Sequence, residues 1–246
     1  MKRIHPKILA HRGYSGKFPE NTALSFRKAI EYKADGIECD VQKTRDGKYI
    51  IIHDDSVDRT SDHKGYVKDL LMSELEKYDF GKGERILQLE DFLKMIPKTL
   101  YLDLELKEET ISKDDLTFIH DKILEYIEPK NIMISSFNPT LLEEFPRKNV
   151  KLGLLVDERF EKSGLLGLEK AIFKIKPYSL NLPVQMFDEL GNKKAMQLLK
   201  LLKLQGKKIA FWTINTEEEY NKVKNYADFI ITNEVEKMRR LVYGEY

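Results

Sequence analysis

Gly36-Ile37-Glu38-Cys39-Asp40-Val41-Gln42-Lys43-Thr44-Arg45-Asp46-Gly47-Lys48-Tyr49-Ile50-Ile51-Ile52-His53 reads as two β-like runs joined by an Asp-Gly turn signal. The stretch therefore predicts a hairpin. A turn centred near residues 45–48 would set Asp40 across from His53. Along the rest of the chain, short apolar runs recur at Ile8–Ala10, Leu100–Leu106, Ile132–Ser135, Val150–Val156, Tyr178–Leu182, Lys208–Trp212 and Phe229–Ile231. With the two hairpin arms, that makes nine candidate strands, one too many for an eightfold barrel. If the second hairpin arm is extra, eight parallel strands remain, separated by helix-like segments. Strand–helix alternation over 246 residues predicts a (β/α)8 TIM barrel with a small insertion after the second-strand hairpin. An open doubly wound sheet is the rival, but no Gly-rich dinucleotide loop follows the first strand.

The helical segments carry their own punctuation. Pro19–Tyr32 places Ala23, Phe26 and Ile30 at helical spacing, with Asn21 or Thr22 as N-cap. Ser112–Asp115 and Thr216–Glu219 read as capping boxes or their near relatives. Gly206 follows the long segment Glu189–Leu204, where a C-terminal cap belongs. Residues 54–88 fit no barrel helix and contain the breakers Gly65, Gly81 and Gly83. They predict a polar excursion over the barrel top; the alternative is a long solvated loop with one short helix near Leu70–Lys77. No repeat or linker divides the chain, so 1–246 reads as one domain.

Bulk composition narrows the function. The chain is 41% hydrophobic and 34% charged, with 42 basic and 41 acidic residues. A near-zero net charge provides no global field for nucleic acid or an anionic membrane. The lone Cys39 excludes an internal disulfide and fits a reducing compartment. The start of the chain lacks the apolar core of a signal peptide, and no run approaches a membrane span. These features predict a cytoplasmic protein without stable membrane insertion. They leave a homodimer open.

Chemistry in such barrels sits at the C-terminal strand ends. There the chain places Ala10-His11-Arg12-Gly13, Glu38-Cys39-Asp40, His53-Asp54, Tyr101–Lys107 and Trp212–Asn215. Period-two alternation puts Leu100, Leu102, Leu104 and Leu106 on one face of the third barrel strand. Tyr101, Asp103, Glu105 and Lys107 share the other face, toward the lumen. Glu38 and Asp40 likewise share a face. Converging carboxylates need a cation, and oxygen ligands with waters suit Mg2+ or Ca2+. An internally paired network of Glu38, Asp40, Glu105, Lys107 and Arg12 is the plainer alternative for any one of them. Their joint placement at strand ends favours the metal. His11 and His53, two of five histidines, suit an acid–base pair. Arg12 and Lys107 supply positive charge for a phosphate.

These segments resemble the glycerophosphodiester phosphodiesterases. The similarity rests on Ala10–Gly13, Pro19–Thr22, Glu38–Val41, Asp46-Gly47, His53-Asp54 with Arg59-Thr60, Leu104–Lys107, Ser136-Phe137 and Trp212–Asn215, and runs from residue 8 to about 235. The resemblance implies a barrel enzyme that converts glycerophosphodiesters, such as glycerophosphocholine or glycerophosphoethanolamine, to glycerol 3-phosphate and an alcohol. It implies His11 and His53 as catalytic histidines and Glu38, Asp40 and Glu105 as ligands of a divalent cation. It also implies Arg12 and Lys107 as phosphate-binding residues, Glu20 as a group orienting the first histidine, and Trp212 as a pocket wall. One departure stands out: the family's last strand usually ends Ile-Thr-Asp, whereas here it reads Ile231-Thr232-Asn233. A phospholipase-like relative and a non-catalytic glycerophosphodiester-binding barrel are the rival readings. A broad apolar groove built by residues 54–88 would mark the first. Loss of a histidine would mark the second.

Overall fold

A computed structural model describes residues 5–244, with 158–166 described as backbone only. The lead Met1–Ile4 lies outside the described residues. Ten strands form one sheet: β1 (Lys7–His11), β2 (Gly36–Lys43), β3 (Tyr49–Ile51), β4 (Leu87–Gln88), β5 (Tyr101–Leu106), β6 (Ile132–Ser136), β7 (Lys151–Leu155), β8 (Ser179–Pro183), β9 (Lys208–Trp212) and β10 (Phe229–Thr232). Eight of them pair in parallel in the order β1-β2-β5-β6-β7-β8-β9-β10, and β10 returns to β1. The sheet is a closed (β/α)8 barrel with helices between its strands. β3 and β4 are antiparallel additions beside β2.

The hairpin register differs from the expected one by a residue. Lys43 pairs with Tyr49 and Val41 with Ile51, so Asp40 faces Ile52 rather than His53. The cause is the loop. The Thr44 N–H donates to Lys48 O at 2.9 Å, leaving three loop residues, and Gly47 takes φ 76°. A left-handed glycine closing a three-residue loop is a common hairpin solution.

The first helix spans Ala23–Glu31, with Thr22, one of the two expected residues, as N-cap. Asn21 has φ 55° and its N–H donates to Arg12 O, so it cannot be helical. The long segment near 189–204 is divided at Gly191, φ 76°, into helices Met186–Leu190 and Asn192–Leu204.

Residues 54–88 are more than a polar loop. Val57, Val67, Met72, Leu75, Phe80 and Ile86 bury themselves with Ile50 and Ile52 in a small core of their own. Ile51 points the opposite way, into the main core between strands and helices. Inside the barrel, the lower lumen is filled by Leu9, Tyr101, Met133, Ala210, Phe229 and Ile231.

Candidate active site

β5 shows the alternation expected of it. Leu102, Leu104 and Leu106 join the outer core, whereas Asp103 and Glu105 line the lumen. β2 lies beside it with Glu38 opposite Asp103 and Asp40 opposite Glu105. Ligand atoms of Glu38, Asp40 and Glu105 consequently fall within 4.8 Å of one another, all buried. Burial, reinforced by Asp40 and Glu105, pushes the Glu38 carboxyl well above its ordinary pKa. Burial also lifts Glu105 to about 7, against the pull of Lys107. Burial opposes ionisation of Asp40 as well, but Lys107 and Arg12 outweigh it and hold that carboxyl below the usual range.

Lys107 Nζ lies 2.6 Å from Glu105 Oε1 and 3.2 Å from Asp40 Oδ1. Asp40 Oδ1 is buried and accepts no hydrogen bond. Three crowded oxygen donors, two of them held back from ionising by burial, fit a divalent cation. The internally paired network is therefore only half realised: Lys107 serves two carboxylates, and Glu38 is left mainly to its acidic neighbours.

β1 ends in a sharp turn that turns Arg12 back over β2. Arg12 has φ 55° and Gly13 φ 79°. A Cβ on Gly13 would meet the backbone carbonyl carbon of Ser25 at 2.7 Å, so the turn requires glycine. The Arg12 N–H donates to Glu38 O at 2.8 Å, and its Nη1 donates to Glu20 Oε1 at 3.0 Å. Arg12 Nε stands 3.6 Å from Asp40 Oδ2.

The histidines have different supports. His11 Nδ1 lies 2.6 Å from Asn233 Oδ1, and its Nε2 lies 3.8 Å from Glu38 Oε2. His53 Nδ1 lies 2.7 Å from Asp54 Oδ1. Asp54 in turn accepts from Arg59 Nε at 2.7 Å, and the same guanidinium donates twice to Glu20, each at 2.7 Å. Glu20 thus braces Arg12 and Arg59 and makes no hydrogen bond to His11, which corrects the orienting role expected for it. A longer side chain set back from the lumen reaches the guanidinium groups, while Asn233 at the end of β10 faces the imidazole. Burial, with Arg12 adding to it, lowers the His11 pKa to about 4. Burial also lowers that of His53.

His11, Arg12, Glu38, His53, Glu105 and Trp212 line one open cavity of about 120 Å³. Trp212 forms a wall there, edge-on to Phe137 at 5.8 Å and anchored by an Nε1–H bond to Asn181 O. Lys107 lines the adjoining space with Glu105 and Phe137. Several contributors were not singled out by sequence. Asn21 donates to Asp40 Oδ2 at 3.0 Å, and Ser135 and Asn181 donate to the lumenal Asp103 on the cavity floor. Alternation in Ser179-Leu180-Asn181-Leu182 would have marked Asn181 as lumenal; nothing local marks Asn21.

Carboxylates able to hold a cation, two cationic side chains and two imidazoles at the open end of a barrel define a hydrolase for phosphate esters. Residues 11–237 match the model of the glycerophosphoryl diester phosphodiesterase family. A glycerophosphodiester phosphodiesterase of Caldanaerobacter subterraneus is 32% identical over 96% of this chain and 97% of its own. The crystal structure of a glycerophosphodiester phosphodiesterase from Thermotoga maritima superposes with a TM-score of 0.83 at 32% identity, covering 96% of this chain and 98% of that one. An Oleispira antarctica phosphodiesterase, solved with the product sn-glycerol-3-phosphate, gives a TM-score of 0.83 at 26% identity, covering 96% of each chain. The chain belongs to the glycerophosphoryl diester phosphodiesterase family and is a phosphoric diester hydrolase. Among the described residues, no helix is long and apolar enough to cross a membrane.

Proposed function

We propose that the chain hydrolyses water-soluble glycerophosphodiesters, such as glycerophosphocholine or glycerophosphoethanolamine, to glycerol 3-phosphate and an alcohol. The observation that carries this reading is the meeting of Glu38, Asp40 and Glu105 with Arg12, Lys107 and both histidines at one barrel mouth. Glu38, Asp40 and Glu105 would hold Mg2+ or Ca2+, which when bound stabilises negative charge on phosphoryl oxygens. Arg12 and Lys107 bind the phosphate, exchanging part of their carboxylate pairing for phosphoryl oxygens. His11 and His53 move the protons, one to the leaving alcohol and one from the nucleophile. Asp54 and Arg59 hold the His53 ring. Trp212 and Phe137 bound the substrate laterally.

The excursion packs its apolar side chains into its own core, which favours a headgroup diester over a lysophospholipid. The barrel with its excursion is read as one domain. The single cysteine, buried and unpaired, supports a cytoplasmic setting. The test is a panel of glycerophosphodiesters and lysophospholipids with and without Mg2+ or Ca2+, reading out glycerol 3-phosphate. Full turnover in excess chelator would remove the metal role. Release confined to lysolipids would replace the substrate class.

A further inference from the structure

Asn233 sits where β10 leaves the barrel, beside the end of β1. Its backbone is held from both sides: its N–H donates to Asn215 Oδ1 at 2.9 Å, and the Gly16 N–H donates to its carbonyl at 3.0 Å. Neither of those bonds uses the side chain. It points at His11 instead, with Oδ1 2.6 Å from Nδ1. Ser15 Oγ lies 2.9 Å from the same Oδ1 and 2.7 Å from the His11 carbonyl oxygen. The Ser15 hydroxyl thus has two acceptor oxygens in reach, the nearer being the His11 carbonyl.

The chemistry of these atoms sets the proton position. A neutral imidazole carries its proton on either nitrogen, and the partner of one nitrogen decides the state of the other. An amide oxygen only accepts, so the nitrogen facing it carries the proton. A carboxylate would impose the same choice without help, because it has no donor. An amide can also turn and offer its NH2, which would move the ring proton to Nε2. In the structure it is the oxygen that faces Nδ1.

We infer that Asn233 is a positioning residue for His11, its amide oxygen turned to the ring, so that the ring is protonated at Nδ1 and presents an unprotonated Nε2 to the cavity. The inference rests on His11 as a proton-transfer group. It makes Asn233 a working replacement for the aspartate usual in the family, not a lesion.

The test measures the tautomer separately from turnover. In long-range proton–nitrogen NMR of the whole protein, at a pH where the ring is neutral, His11 should show a protonated Nδ1 and a bare Nε2. Asn233→Ala should redistribute the tautomers and lower kcat by about 10- to 100-fold, the usual cost of removing a histidine's supporting partner. KM and melting temperature should stay near their original values, because the backbone bonds remain. Asn233→Asp keeps an acceptor oxygen and should restore both tautomer and turnover. A ring protonated at Nε2 in the unmodified protein would overturn the inference. So would an Asn233→Ala protein with unchanged tautomer and kcat, or one whose loss follows its melting temperature and is not recovered by Asn233→Asp. Normal turnover in His11→Ala would instead remove the proton-transfer role of His11, whatever the tautomer.

Discussion

Tyr101 and Glu105 point from the same face of β5 into the same lumen, roughly 13 Å apart along the strand. Their surroundings are opposite. Tyr101 packs among Leu9, Met133, Phe229 and Ile231, where each buried apolar group adds to stability. Glu105 meets Glu38, Asp40 and Lys107, where every carboxylate taken from water costs several kcal/mol unless paired. The strands are shared, so stability and chemistry are divided by height in the lumen rather than by element. The lower layer holds the barrel closed, and the upper layer draws on that stability to keep charges where water would disperse them.

If this division holds, substitutions in the two layers should fail differently. His53→Ala should lower turnover by about 10²- to 10⁴-fold, the usual share of a general acid or base, with a melting temperature within a few degrees of the original. Steady-state kinetics with calorimetry would check both. Phe229→Ala should do the reverse. Emptying its place in the plug should cost about 3–5 kcal/mol in denaturant melts, while kcat of the folded fraction stays within about threefold.

A smaller effect concerns pH. Glu38 and Glu105 have folded pKa values raised above their unfolded ones, Glu105 to about 7. The folded state then keeps protons that the unfolded chain releases. Their contribution is complete below the unfolded carboxylate range and fades as pH rises through 7. Asp40 runs the other way, its contribution lost only as pH falls below the unfolded range. The lowered His11 and His53 act in the opposite sense below the unfolded histidine range, so the clean loss of melting temperature in metal-free protein should fall between about pH 7 and pH 8. Saturating Mg2+ or Ca2+ should flatten that slope. Smallest of all, Glu38→Gln should stabilise metal-free protein by about 1 kcal/mol at pH 8 and abolish the benefit of added cation.

The upper layer was unusually legible in the sequence because period two is a property of any strand. Four leucines alternating with Tyr101, Asp103, Glu105 and Lys107 leave one face apolar and the other charged, whatever the partner. The supporting residues were not legible for the same reason. Asn21 reaches Asp40 through a left-handed backbone turn, and Asn233 reaches His11 from 222 positions away. Neither distance has a period. Arg59, near the start of an excursion whose polarity concealed a core, joins Asp54 to the distant Glu20. The hairpin illustrates the limit for registers: Asp-Gly announces the turn, but one loop residue decides which side chains meet.

β3 is only three residues long, yet its alternate side chains belong to two separate cores. Ile51 is held by the barrel, and Ile50 by the excursion. The excursion therefore cannot open alone without freeing one face of the strand that leads into His53. Hydrogen exchange along Ile50–Ile52 should report both units together, as a hinge does when two doors hang on it. An alteration deep in the excursion core, far from any phosphate, would reach the histidine as a loss of local folding cooperativity.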